Sequence, residues 1–164
     1  MSPSRWAPIE QMIRGFQGLL APTAPQLKIE KGVDCAEPYP ERKAVSQSLN
    51  KQGVYLIFDD SESKIYIGST IDRPLADRCR DHIKGFTKRF GFNPRWIDVI
   101  PFDHEWEFFA SSLELYLIYK VTRKEHGCTL ELVNQRGTSS ATARNLGELI
   151  AKREEEIARK RQGS

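Results

Sequence analysis

Two short segments rich in β-branched and aromatic residues, joined by a polar turn, constrain the fold of this chain most strongly. Residues 53–59 are G-V-Y-L-I-F-D, and residues 64–69 are K-I-Y-I-G-S. This composition is typical of β-strands, and the short connection predicts a hairpin. Because side chains alternate between the two faces of a strand, a loop of four residues (60–63), or of two, would place Tyr55 and Tyr66 on one face.

The segment before the hairpin, residues 1–52, is predicted to contain a helix and an extended arm. Pro22 and Pro25 end the helix, and residues 26–50 show little periodicity, with one short helix expected near 41–49. The helix itself, from about residue 8 to 20, is predicted by apolar residues at three- and four-residue steps, namely Trp6, Ile9, Met12, Ile13, Phe16, Leu19 and Leu20.

The segment from 53 to 137 is predicted to form the main α+β domain. Asp72 is a candidate N-cap for a helix that begins at Pro74 and runs to about 84, and residues 95–102 predict a third strand. A second helix is expected to end at Gly127, and its apolar side consists of Leu113, Tyr116, Leu117, Lys120 and Val121. We therefore expect a three-stranded antiparallel sheet flanked by helices. A charged helix over residues 142–162 is expected within the final segment, 138–164.

Composition excludes few functional classes. The chain has 164 residues and 25 basic against 22 acidic side chains, and a net charge of +3 is too small to indicate nucleic-acid binding by itself. No apolar run approaches the ~20 residues that a membrane span needs. The N-terminus does not resemble a signal peptide, so we expect a cytoplasmic protein without a membrane partner.

The chain has three widely spaced cysteines, Cys35, Cys79 and Cys128. Their spacing predicts reduced thiols rather than a disulfide framework or a zinc site.

The local distribution of charge is more informative than the total. Residues 78–95 contain only one acidic residue, Asp81, and phenylalanines lie between the cations. Such a patch can neutralise phosphates, although a solvated helix and loop would have the same composition. The six cations are Arg78, Arg80, Lys84, Lys88, Arg89 and Arg95.

Three further features are candidates for chemistry, and each also has a purely structural interpretation. Tyr55 and Tyr66 could form a cross-strand aromatic pair that only stabilises the sheet. Arg78 and His82, at positions i and i+4, share one side of a helix and could bind phosphate and accept a proton, or simply face solvent. Glu114 lies in the apolar run S-S-L-E-L-Y-L-I-Y. It could bind a metal or occupy the exposed side of an amphipathic helix.

Taken in order, these residues resemble the GIY-YIG nuclease family. The first family triplet is present as Gly53-Val54-Tyr55, with valine for isoleucine, and the second is intact as Tyr66-Ile67-Gly68, followed by Ser69. The later family positions match Arg78, His82, Glu114 and Asn134. The segments 1–52 and 138–164 have no counterpart in this motif set.

The resemblance implies hydrolysis of a phosphodiester bond by in-line attack of water, with one divalent ion, Mg²⁺ or Mn²⁺, held by Glu114. Arg78 would hold the scissile phosphate, and Tyr66 would position phosphate or water. Either Tyr55 is the general base, or His82 is the base and Tyr55 its relay. The other expected substrate contacts are Gly68, Ser69, Lys84, Lys88, Arg89, Arg95 and Asn134.

DNA is the expected substrate, and RNA stays open. Cutting both strands of a duplex would require a homodimer or two encounters. A restriction endonuclease fits a core with flanking additions best, and toxin, mobile-element and repair nucleases remain alternatives. Two non-enzymatic interpretations compete: a nucleic-acid-binding module on the same fold, and an interaction domain that docks through its N-terminal amphipathic helix.

Overall fold

The described part of the chain forms a five-stranded sheet with helices on both faces. The computed structural model describes residues 3–36, 47–71, 73–83, 86–134 and 141–163. Its strands are β1 (Glu30–Asp34), β2 (Gln52–Phe58), β3 (Lys64–Thr70), β4 (Trp96–Phe102) and β5 (Glu131–Leu132). Its helices are α1 (Ala7–Gln17), α2 (Leu75–Ile83), α3 (Phe86–Phe90), α4 (Phe109–Thr122) and α5 (Ala141–Gln162).

The α+β fold is confirmed, but the expectation of three strands is wrong. The strand order is β1-β4-β2-β3-β5, with β5 parallel to β3 and the other neighbours antiparallel. β1 comes from the predicted arm, and its sequence E-K-G-V-D lacks the alternation that marks a strand. Its pairing with β4 shifts register between Lys31 and Val33. A Cβ on Gly32 would lie 2.6 Å from the Ile97 carbonyl oxygen, so this glycine permits the close approach.

The predicted hairpin is confirmed. β2 and β3 pair in a single register, with Tyr55 opposite Gly68 and Ile57 opposite Tyr66, and residues 60–63 form the loop. The Asp59 carboxylate fastens this loop by accepting hydrogen bonds from the Ser63 and Lys64 backbone N–H groups at 2.8 and 2.9 Å.

The helices follow the predictions with one corrected boundary. α1, α2 and α5 lie where expected, although the predicted cap Asp72 and most of the predicted helix near 41–49 are outside the described residues. α4 ends at Thr122 rather than Gly127. Lys124 and His126 adopt left-handed backbone conformations, with φ of 57° and 58°, which end an α-helix. Among the described helices, none is long and apolar enough to cross a membrane.

The sheet separates two apolar clusters. One face packs under α1 and α4 and takes Val54, Leu56 and Phe58 from β2. The other face takes Tyr55 and Ile57, and packs against residues of α2 and α3. The apolar side of α1 is buried in the first cluster, so it is not a free docking surface; its members are Ile9, Met12, Ile13 and Phe16.

The last helix is attached to α4 by a buried polar cluster. The Tyr116 hydroxyl donates a hydrogen bond to Glu154 at 2.6 Å. Lys120, placed on the apolar side by sequence, is buried and forms ion pairs with Glu125 at 3.1 Å and Glu154 at 3.0 Å. Its charge is therefore compensated, as burial requires.

The segment before α1 is fastened to the sheet by a buried ion pair. Arg5 donates to both carboxylate oxygens of Asp98 on β4, at 2.7 and 3.1 Å, and the Trp6 indole N–H donates to the same group at 2.8 Å. The Arg5 guanidinium also lies 4.5 Å from the centre of the Trp96 ring. The two ionic side chains are 3% and 1% exposed. Asp98 therefore depends on Arg5 for the compensation of its charge, while Arg5 also pairs with the partly exposed Glu62 at 3.1 Å.

We expect Asp98→Ala to lower the free energy of unfolding by about 3–5 kcal/mol, because the buried Arg5 charge loses its bidentate partner and keeps only the partly exposed Glu62, at 3.1 Å. Urea denaturation measures the change. The control is Asp103→Ala, which removes an ion pair with Lys51 whose side chains are 51% and 54% exposed. This control should cost no more than about 1 kcal/mol. Equal losses in the two variants would contradict the role assigned to the buried pair.

Candidate active site

The β2–β3 register brings the two tyrosines of the motifs together on one face of the sheet, as predicted. They are diagonal neighbours, because Tyr55 faces Gly68 and Tyr66 faces Ile57. Their ring centres lie 6.2 Å apart with an angle of 25° between the planes. Tyr55 is buried, whereas Tyr66 is half-buried and packs against Phe90 at 4.8 Å.

Gly68 is the residue over which the Tyr55 phenol lies. A Cβ at this position would be 2.8 Å from Cε2 of Tyr55 and closer still to its Cζ and hydroxyl oxygen. Any side chain would therefore displace the phenol. The glycine of the second triplet is required here for space.

α2 presents Arg78 to the tyrosines. Its first turn is held at the sheet, because the Leu75 N–H donates to the Lys51 carbonyl at 2.9 Å and the Thr70 hydroxyl donates to the Arg73 carbonyl at 2.7 Å. Arg78 is exposed, hydrogen-bonds to Tyr55, and acts electrostatically on Tyr66 and Glu114.

Glu114 projects from α4 towards the end of β3. Its Oε2 accepts a hydrogen bond from the Ser69 hydroxyl at 2.7 Å. The side chain is half-buried, which differs from the exposed helix side that was the structural alternative. Burial raises the pKa of this carboxyl, while the Ser69 hydrogen bond and the Arg78 charge lower it.

Burial also shifts the pKa values of the two tyrosines. It raises the pKa of Tyr55 and outweighs the opposing effect of the Arg78 hydrogen bond and charge. The pKa of Tyr66 is raised by burial and by the Glu114 charge, and Arg78 again opposes the shift. Both phenols are therefore neutral near pH 7 in the protein alone.

A polar cavity opens beside these groups. Its volume is about 420 Å³, and its lining residues are Ser69, Thr70, Ile71, Arg73, Arg78 and Ser111. Two of them supply positive charge and three supply hydroxyl groups. A cavity with this lining suits a phosphate group and its hydration shell.

Arg73 and Ser111 were not predicted from the sequence. Arg73 lies in the connection between β3 and α2, and a basic residue five positions after the second triplet is the signal that could have found it. Ser111 lies three residues before Glu114, which places both on one side of α4.

Asn134 contacts the backbone of β3. Its side-chain Oδ1 accepts from the Ile67 N–H at 3.0 Å, and its Nδ2 donates to the Ile67 carbonyl at 2.7 Å. β5 ends at Leu132, and the side-chain amide of Asn134 adds two further hydrogen bonds to β3 beyond that end. It holds the Tyr66-Ile67-Gly68 triplet in place.

The predicted basic contacts have different surroundings. Lys88 and Arg89 are exposed on α3. Arg95 forms ion pairs with Asp34 and Asp60 and lies against the Trp96 ring at 3.8 Å, so its charge is already partly compensated. Lys84 and the side chain of His82 fall outside the described residues.

The donor set fits a hard divalent ion held by one carboxylate. Among the described residues no three His, Cys, Asp or Glu side chains form a metal cluster. Mg²⁺ retains several waters and is often bound through one or two carboxylates together with substrate phosphate. Glu114, beside a polar cavity, meets that requirement.

Comparison with known proteins identifies the domain. Residues 51–126 match the family model of the GIY-YIG catalytic domain. This segment of the chain is therefore a GIY-YIG domain. This range contains both triplets, Arg78 and Glu114, and ends before Asn134. No curated protein and no solved structure gives a significant match to the chain.

We expect Gly68→Ala to displace the Tyr55 phenol towards solvent. Burial is the largest cause of the raised pKa of Tyr55, so the variant should ionise this phenol at lower pH than wild type. Ultraviolet titration of tyrosinate measures the change, and Tyr55→Phe identifies the contribution of Tyr55. Gly18→Ala is the control, since its added methyl would meet no atom closer than 3.4 Å. A Gly68→Ala titration identical to wild type would refute the contact.

Proposed function

We propose that this GIY-YIG protein is a DNA endonuclease that uses one divalent ion, Mg²⁺ or Mn²⁺, to hydrolyse phosphodiester bonds. The observation that carries the proposal is the convergence of Tyr55, Tyr66 and Glu114 on Arg78, which lines the polar cavity. These groups come from the hairpin, α2 and α4. If each had only a separate structural role, nothing would require them to lie together.

Arg78 is proposed to bind the scissile phosphate. It is exposed at the cavity and carries five donors in a planar fork, which suits two oxygens of a phosphate and the charge that develops on them. Arg73 lines the same cavity and is proposed as a second phosphate contact. Tyr66, half-buried beside them, would hydrogen-bond to the phosphate or to the attacking water.

Glu114 is proposed as the metal ligand, with Ser69 holding its carboxylate in one orientation through the 2.7 Å hydrogen bond. A divalent ion bound there would supply positive charge at the phosphate, at the leaving oxygen and beside the phenols. The raised pKa of Glu114 means that protons compete with cations for this carboxylate more strongly than at an exposed glutamate.

The general base is proposed to be Tyr55 or His82. Tyr55 is neutral in the protein alone, and it becomes a base only if added positive charge overcomes the effect of its burial. If His82 accepts the proton, Tyr55 relays it or orders the water. Tyr55→Phe and His82→Ala separate these assignments, because the base should be the costlier loss and its removal should abolish the corresponding limb of the pH profile.

DNA is the proposed substrate, and Lys88 and Arg89, exposed on α3, are the proposed contacts to its backbone. The proposed biological role is restriction, with repair, toxin and mobile-element roles as alternatives. One active site per chain would cut one strand at a time, so double-strand cleavage would use a homodimer. Gly68, Ser69, Arg95 and Asn134 are predicted to support substrate binding.

We expect purified wild-type protein to cut plasmid or oligonucleotide DNA with Mg²⁺ or Mn²⁺ and to be inactive with a chelator. Glu114→Gln and Arg78→Ala should each lower cleavage by about 100-fold or more, as removal of a transition-state contact does. The matched controls are Glu105→Gln and Arg153→Ala, which change exposed residues outside the cavity and should retain activity.

Binding of DNA without cleavage across several divalent metals would contradict the proposal. A non-catalytic nucleic-acid-binding module would then be the better interpretation. Discrete duplex fragments would support restriction, whereas unspecific degradation would support a toxin or repair role.

The pH dependence tests Glu114 separately. The ionised carboxylate binds the metal, so activity should fall as pH falls through the pKa of Glu114. Ser69→Ala removes a hydrogen bond that lowers this pKa, so the acidic limb of kcat/KM should move to higher pH. Ser111→Ala, which removes another hydroxyl from the cavity, should leave the limb in place. An unchanged limb in Ser69→Ala would refute the assignment.

A further inference from the structure

Exposed apolar side chains occur in the cavity lining and at the N-terminal end of α4, which supplies another lining residue. Ile71 is itself part of the cavity lining, and Phe108 and Phe109 lie three and two residues before Ser111, another lining residue. Their exposed fractions are 41%, 73% and 39%. A single exposed apolar residue is ordinary, but a group of them beside a charged cavity indicates a contact surface.

Phe108 is placed on the cavity side of α4. Its φ of −62° and ψ of −23° are helical, so Phe108 continues the geometry of α4 by one residue towards the N-terminus. Phe108, Ser111 and Glu114 follow at three-residue steps and therefore lie along one side. Ser111 lines the cavity and Glu114 accepts the Ser69 hydrogen bond. At a rise of ~1.5 Å per residue, Phe108 lies roughly 9 Å along the helix from Glu114.

The neighbouring aromatic residues have other partners. The Phe109 ring lies 5.5 Å from Trp106, and Trp106 packs against the first apolar cluster. Phe109 is thus supported by the protein, whereas Phe108 is the most exposed of the large apolar side chains in the described residues. An exposed aromatic ring therefore lies one helical turn before Ser111, which lines the cavity together with Arg73 and Arg78.

The combination of arginines and an exposed aromatic ring matches a nucleotide. Arginines suit the phosphate, and an aromatic ring offers a stacking surface for the adjacent base. In a paired duplex both faces of each base are already stacked and must be unstacked first, so such a ring stacks most readily on a base that is unpaired or displaced. Stacking on an aromatic side chain tolerates every base, because each has a π-face.

We propose that Phe108 stacks on an unpaired nucleobase next to the scissile phosphate, and that the preferred substrate is DNA with a locally unpaired base at the cleavage position. This inference rests on the proposed function, since it places the scissile phosphate at Arg78. Phe108 is a specificity-determining residue that takes no part in the bond-breaking step.

The test compares two duplex oligonucleotides that carry the fluorescent analogue aminopurine at the same position. In one the analogue is unpaired, and in the other it is paired. Binding is measured in chelator, so that cleavage does not interfere. Wild type should quench the analogue by stacking and should prefer the oligonucleotide with the unpaired base. Phe108→Ala should bind that oligonucleotide about 5- to 100-fold more weakly and lose the quenching. It should bind the paired duplex within about twofold of wild type, where no base is available for stacking.

Two variants distinguish stacking from a structural effect. Phe108→Trp should restore the quenching, since it keeps an aromatic ring. Leu149→Ala removes another exposed apolar side chain, 62% exposed on α5, and should behave as wild type. Wild-type cleavage combined with unchanged binding and quenching in Phe108→Ala would overturn this inference alone. DNA binding without metal-dependent cleavage would instead overturn the proposed function.

Discussion

The pairing register of β2 with β3 decides both the core and the candidate site. In this register Val54, Leu56 and Phe58 enter the cluster under α1 and α4. Tyr55 and Tyr66 are consequently directed to the opposite face, towards α2 and α3. A shift of one residue would exchange the faces of every side chain in a strand. The Asp59 hydrogen bonds in the loop and the fit of Gly68 beneath Tyr55 both favour the observed register.

Burial gives the site its electrostatic character. Glu114, Tyr55 and Tyr66 have raised pKa values because they are withdrawn from water, while Arg78 opposes the shift in all three. Such a site favours neutral groups until further positive charge enters. Shifted pKa values of this kind cluster at functional sites, which supports the proposal that these groups act together on a substrate. The buried Arg5–Asp98 pair differs, since each charge already has its partner.

The sequence allowed prediction of the elements with strong local patterns. The hairpin, the amphipathic α1 and the family residues could be identified because alternation, helical spacing and the two triplets are local signals. β1 was missed because its pairing depends on a close approach at Gly32 rather than on apolar alternation. Arg73 and Ser111 were missed because their place at the cavity depends on the packing of α2 and α4 against β3. The hydrogen bonds of Asn134 to Ile67 likewise follow from the position of β5.

The most direct test of the account is a crystal structure of Glu114→Gln bound to an oligonucleotide in the presence of Mn²⁺. The central claim is that the cavity beside Tyr55, Tyr66 and Arg78 receives the scissile phosphate. We expect a backbone phosphate within hydrogen-bonding distance of the Arg78 guanidinium, with little anomalous signal from Mn²⁺ at the altered position 114. DNA bound on another face, with the cavity free of phosphate, would contradict it.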